Sequence, residues 1–221
     1  MGETIQLKSA DGFEFSAYVA GPANATKGVV VVQEIFGVNH HIKDMADRFA
    51  ALGYAVVAPA LFDRAQRGVE LGYTQEDVSA GREIRMKLND ADVMKDVEAA
   101  ANHLAGKKLG IVGYCFGGTV AWWGATRTTK FAASSCWYGG GIPGTKNESA
   151  NCPVQMHFGE EDASIPMTDV DAIRAAQPKV EVYVYNGAHH GFGCDERGTY
   201  SKPDYELAQA RTVEFFAKHL A

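Results

Sequence analysis

Lys108-Leu109-Gly110-Ile111-Val112-Gly113-Tyr114-Cys115-Phe116-Gly117-Gly118 is the stretch on which the reading of this chain turns. Its first five residues form the short apolar run of a buried strand, and Gly118-Thr119-Val120-Ala121-Trp122-Trp123 suits the start of a helix. Between them, Gly113-x-Cys115-x-Gly117 has the form of a nucleophile elbow with cysteine where serine is usual. In an elbow a sharp strand-to-helix turn lifts the nucleophile clear of the sheet. Small flanking residues let the chain turn without a side chain meeting the neighbouring backbone. The pattern alone is weak evidence; with these flanks it predicts strand, turn and helix, and a thiol aimed outward at position 115.

Working outward, strands and helices alternate. Thr4–Leu7 and Phe13–Val19 read as an edge hairpin, and Gly28–Gln33, with four consecutive valines, as a central strand covered on both faces. A helix over Ile42–Leu52 and a strand over Tyr54–Ala58 follow. Residues 62–88 are polar and irregular, with a helix from Glu76 onward, and read as a lid-like segment. Asp92–Leu104 is an amphipathic helix with Val93, Val97, Ala100, Ala101 and Leu104 on one face. After the elbow come strands at Phe131–Tyr138, Val154–Phe158 and Val180–Tyr185, with a helix near Val170–Ala176. The closing helix, Tyr205–His219, is expected to turn Leu207, Val213, Phe216 and Leu220 inward. This order predicts an α/β fold, a mostly parallel central sheet with helices on both faces, in one domain over residues 1–221. Ligands of such sheets bind at the carboxyl ends of the strands, where the elbow lies.

At 221 residues and 46% hydrophobic, the chain is long enough to bury a substantial core. A net charge of −6 argues against nucleic acid or an anionic membrane surface as partner. No apolar run is long enough to span a bilayer, and the N-terminus lacks the pattern of a secretory signal, so the expectation is a cytoplasmic monomer. The four cysteines, at 115, 136, 152 and 194, form neither C-x-x-C nor a zinc-ligand pattern with histidine, so neither metal nor cofactor is expected. Cys136 and Cys152 read as small buried hydrophobes.

A cysteine that does acyl chemistry needs a base, an orienting acid and an oxyanion hole. Two later loops offer them in the order nucleophile, acid, histidine. His157-Phe158-Gly159-Glu160-Glu161-Asp162-Ala163-Ser164-Ile165-Pro166 leaves one strand, and Asn186-Gly187-Ala188-His189-His190-Gly191-Phe192 leaves the last. Taken singly, Asp162 also fits a turn or capping residue, Glu160 and Glu161 fit solvated charges, and only one of the adjacent histidines can face a site. Three matched residues in order, each after a strand, favour a triad.

Four pieces together resemble the dienelactone hydrolase family (carboxymethylenebutenolidases) of α/β-hydrolases. They are Gln33-Glu34-Ile35-Phe36-Gly37-Val38-Asn39, the Cys115 elbow, the Gly159-Glu160-Glu161-Asp162 loop ending at Pro166, and Gly187-Ala188-His189-His190-Gly191-Phe192. The resemblance selects His190 over His189 as base, and Asp162 as acid. It implies that Glu34 contacts the Cys115 thiol and governs when it ionises. A carboxylate ending a hydrophobic strand is costly unless partnered, and it equally fits a holder of backbone N–H groups. The backbone N–H groups of Ile35 and Phe116 are the implied oxyanion hole. The implied reaction opens dienelactone to maleylacetate, in the breakdown of chlorinated aromatics.

An arginine fork is the expected partner of that substrate's carboxylate. Arg82 matches the family's lid-helix arginine, with Arg85 as the alternative and a solvated helix face as the plain reading. No arginine stands at the family's second position after the histidine, and Arg197 is the nearest substitute. Phe36, Trp137 and Tyr138 are candidates for an apolar pocket wall or for core. Competing functions are a general carboxylesterase or thioesterase on the same triad, and a redox-responsive thiol protein.

Overall fold

The computed structural model describes residues 2–221. Its strands make one eight-stranded sheet in the order β1-β2-β4-β3-β5-β6-β7-β8. The chain divides into two compact units, one ending at Ile111 and the other Val112–Ala221, with the boundary inside β5 (Lys108–Tyr114).

In the first unit β1 (Glu3–Lys8) and β2 (Glu14–Ala20) form the antiparallel hairpin, and β2 runs antiparallel to β4 (Ala55–Pro59). β3 (Lys27–Val32) lies parallel to β4. Val29, Val30, Val31 and Val32 are all wholly buried, as a strand covered on both faces requires. Helix α1 (His40–Ala51) begins at Asn39, whose side chain accepts the Ile42 N–H, and turns Ile42, Met45, Ala46 and Phe49 inward. Helix α2 (Gln75–Met86) is the helix expected from Glu76 onward, and a short 3-10 turn at Leu61–Arg64 adds structure ahead of it. Helix α2 opens with a capping box between Thr74 and Asp77.

Helix α3 (Asp90–His103) buries Val93, Val97, Ala100 and Ala101 as expected, and Asp96 with them. The Arg64 guanidinium holds both Asp96 oxygens, at 2.7 and 2.8 Å, and Ser9 completes the set. A buried carboxylate persists only with such partners.

In the second unit β6 (Ala133–Trp137), β7 (Val154–Gly159) and β8 (Glu181–Tyr185) run parallel. Helix α4 (Phe116–Arg127) follows the elbow at once, two residues earlier than the sequence suggested. Helices α5 (Ile142–Thr145) and α6 (Met167–Ala176) lie in the connections, and α7 (Lys202–His219) closes the chain. The α7 stripe differs from the expectation: Tyr205, Ala208, Thr212, Phe215 and Phe216 are buried, whereas Leu207 is 48% exposed. Phe216 and Leu220 are buried as expected, Val213 only partly, and Thr212 joins the inward face with its hydroxyl bonded to Ser135. Among the described residues no helix is long and apolar enough to cross a membrane.

Candidate active site

Strand β5 ends at Tyr114, and Cys115 follows with φ 54° and ψ −114°, a conformation that side chains other than glycine rarely adopt. Holding it costs about 1–3 kcal/mol, which the surrounding structure must supply. Part of that support is visible. The Cys115 N–H donates to the Trp137 carbonyl at 3.0 Å, and its own carbonyl accepts from Gly118 and Thr119 in the first turn of α4. A Cβ on Gly113 would lie 1.9 Å from the Gly117 carbonyl oxygen, so glycine at 113 is required by contact. The thiol is partly exposed, at the N-terminus of α4, whose aligned dipoles favour negative charge there.

The other two loops are stitched together before their side chains meet. Gly159 ends β7 so close to the histidine loop that a Cβ there would sit 2.3 Å from the Ala188 oxygen. The Glu160 N–H donates to the Tyr185 carbonyl, and Glu161 N–H to that of Ala188, both at 2.9 Å. The Glu160 carboxylate accepts the Gly187 N–H at 3.0 Å. Glu160 and Glu161 are therefore fasteners, not merely solvated charges. Glu161 also pairs with His189, which is 54% exposed and accounts for the ordinary member of the histidine pair.

That framework sets Asp162, wholly covered at its side chain, against His190. Asp162 Oδ2 is 2.7 Å from His190 Nδ1, and Oδ1 accepts the Ser164 N–H at 2.8 Å. With Nδ1 committed to the carboxylate, Nε2 is the ring nitrogen left for the Cys115 thiol, which lies near enough to act on the imidazole's proton affinity. Burial alone would lower the imidazole's proton affinity, but the Cys115 charge and then the Asp162 bond outweigh it and raise the pKa to about 10. The Tyr138 ring lies edge-on to the imidazole, centroids 5.2 Å apart, and the Thr199 hydroxyl donates to the His190 carbonyl. Of the three other thiols, Cys136 is pushed up to about 12 and Cys152 up to about 11 by burial, so these two stay protonated.

The structure thus brings Cys115, Asp162 and His190 together, with Tyr138 beside them. Trp137 is wholly buried between Tyr114 and Phe192 and donates its indole N–H to Ser135, so it packs as core behind the site. The Arg197 guanidinium lies over Gly191, the residue after His190, at a distance where a Cβ would collide with it. In the first unit Glu34 is wholly buried, with the Tyr73 hydroxyl donating to it at 3.5 Å, and Phe36 is buried edge-on to Tyr73. Ile35 is partly exposed. Arg82 is exposed on α2, and its side chain makes no hydrogen bond or ion pair with the described residues. Arg85 is tied to Asp90 at 2.5 Å and to the Leu88 carbonyl. Sequence reading missed Glu160 and Tyr73. The only signal for the first was its place beside Gly159, and Tyr73 stands in a segment without periodicity.

A mostly parallel sheet with a cysteine at a strand-to-helix elbow, and an aspartate and a histidine on later strand exits, is the arrangement of an α/β-hydrolase. The model of the Dienelactone hydrolase family matches residues 15–220. A Synechocystis sp. protein named "Putative carboxymethylenebutenolidase" is 37% identical over 98% of this chain and 99% of its own length. A relative of the same name from Azospirillum brasilense is 34% identical over 98% of each chain. Among solved structures, one titled as a "Putative Dienelactone Hydrolase" from Klebsiella pneumoniae superposes with a TM-score of 0.82 at 31% identity, covering 99% of both chains. The Pyrococcus furiosus esterase Pf2001 shares the fold, with a TM-score of 0.74 at 16% identity, over the whole of this chain and 94% of its own. The chain belongs to the dienelactone hydrolase family and is a hydrolase.

Proposed function

We propose that this hydrolase opens a small unsaturated lactone bearing a carboxylate, dienelactone to maleylacetate, through a Cys115–His190–Asp162 triad. The observation carrying the reading is the Asp162–His190 bond of 2.7 Å, which leaves the other ring nitrogen for the Cys115 thiol. The Cys115 thiolate attacks the lactone carbonyl carbon. A C–S bond forms, and the carbonyl electrons move to the oxygen, which the N–H groups of Phe116 and Ile35 receive. As the carbonyl re-forms, the ring C–O bond breaks and the enolate leaves, stabilised by conjugation with the rest of the chain. It takes the proton of the His190 imidazolium, which leaves that ring neutral, and tautomerises to the ketone. His190 then removes a proton from water, hydroxide adds to the thioester, and the C–S bond breaks to return the thiolate. Sulfur suits this leaving group, since attack on a poorer one collapses backwards.

Glu34 is the carboxylate proposed to keep the thiol quiet until substrate displaces it; its complete burial supports a dedicated role. Arg82, exposed and without a side-chain partner, is the proposed clamp for the substrate carboxylate, with Arg197 second. Phe36 and Tyr138 supply the apolar wall. The test compares dienelactone with a p-nitrophenyl ester panel, using Cys115→Ser, His190→Ala and Arg82→Ala. Turnover confined to simple esters would replace the lactonase by a general carboxylesterase. Full activity of Cys115→Ser on both substrates would refute the nucleophile. Arg82→Ala is expected to raise KM for dienelactone about tenfold and leave simple esters unaffected.

A further inference from the structure

Residues 69–81 do not merely follow the Gln33–Asn39 block in sequence; they grip it. The Leu71 N–H donates to the Phe36 carbonyl at 2.9 Å, and Gly37 and Glu70 form an antiparallel bridge. Lys43 holds both Glu70 oxygens at 2.7 Å. Gly81 on α2 lies against the Ile35 carbonyl, where a Cβ would be 2.1 Å from the oxygen. The Tyr73 ring meets Phe36 edge-on, centroids 4.6 Å apart.

The polar end of this grip has a defined direction. Asn39 Oδ1 accepts the Ile42 N–H, so its amide nitrogen must face the other way. That nitrogen donates to the Leu71 carbonyl at 3.0 Å and to the Tyr73 oxygen at 3.1 Å. With a Tyr73 lone pair taken by Asn39, the phenolic proton is turned to Glu34 Oε2 at 3.5 Å. Asn39 is 4% exposed and Glu34 wholly buried, so solvent does not compete for these groups.

We propose that Tyr73 is a positioning residue for Glu34: a hydrogen-bond chain from Asn39 through the Tyr73 hydroxyl ties the carboxylate to residues 69–81. Any ligand that displaces this segment then moves Glu34 with it. The inference rests on the reading of Glu34 as the group that quiets the thiol, and supplies what holds that group in its resting place.

The test is the rate and pH profile of Cys115 alkylation by iodoacetamide in the full chain, for wild type, Tyr73→Phe, Glu34→Gln and the double variant. Tyr73→Phe keeps the ring on Phe36 and deletes only the hydroxyl. It is expected to speed alkylation at neutral pH by about two- to tenfold, the range of one hydrogen bond, and to move the profile in the same direction as Glu34→Gln. In the Glu34→Gln background the Tyr73→Phe change should have no further effect. If Glu34→Gln speeds alkylation and Tyr73→Phe does not, or if Tyr73→Phe acts equally in both backgrounds, the tie is refuted while the role of Glu34 stands. If Glu34→Gln leaves alkylation unchanged, the quieting role itself falls, and the tie with it.

Discussion

His190 lies between the Cys115 side chain and the Asp162 carboxylate, and that fixes how it responds to pH. Its pKa rises from an ordinary 6.5 to about 10 against burial, through Cys115 and Asp162. A histidine raised in the folded state adds stability fully below pH 6.5, and loses that contribution as pH climbs toward about 10. Denaturant midpoints should therefore fall across this window in wild type and fall less in Cys115→Ala, whose imidazole has lost its largest favourable partner. An NMR titration should find the wild-type ring still protonated at pH 7.5 and the Cys115→Ala ring deprotonating at a lower pH. For catalysis, His190→Ala and Asp162→Asn should each lower kcat by about a thousandfold or more. His189→Ala should stay within about twofold, because that ring faces solvent and Glu161.

Among the elements, the exits of β5, β7 and β8 do the positioning, and each depends on a close backbone approach. Gly159→Ala should disturb the junction of the acid and histidine loops, where the added methyl meets the Ala188 and His189 carbonyls. The expected result is a kcat loss of more than about tenfold in protein that still folds, visible as a change in the His190 ring resonances. The elbow permits a comparison that reverses the usual order of residues. At φ 54° Cys115→Gly should be more stable than Cys115→Ala by about 1 kcal/mol, although glycine normally destabilises a chain relative to alanine. The strands and helices themselves were legible from their apolar runs, and the valines of β3 could be placed before any coordinates. What the pattern did not carry was one part of α7, where Thr212 is buried with its hydroxyl on Ser135 while Leu207 is exposed.

Taken whole, the molecule's second half is organised on a buried polar chain as well as on apolar packing. Arg211 donates to the Tyr185 hydroxyl, Tyr185 to His157 Nδ1 at 2.8 Å, and His157 Nε2 to Gln155 Oε1 at 2.8 Å. Gln155 then donates to Glu181, so the chain runs from a cation to an anion with every member in use. Complete burial, with Arg211 nearby, holds the His157 pKa down to about 3, and the ring stays neutral. A histidine lowered on folding loses its contribution as pH falls from 6.5 toward about 3, the opposite sense to His190. Acid unfolding should thus begin in that window, and a variant His157→Gln should show a shallower dependence of its midpoint on pH. The proposed triad was nominated by three residue types that recur in a fixed order at strand exits. Tyr73, Glu160 and His157 were not, because a hydroxyl, a carboxylate and an imidazole in unremarkable positions acquire meaning only from what folds against them. The strained turn at position 115 has, finally, a bearing on descent. A duplicated copy released from catalysis would be under pressure to relax it, so glycine at that position in a relative would mark a lineage that has given up the reaction while keeping the fold.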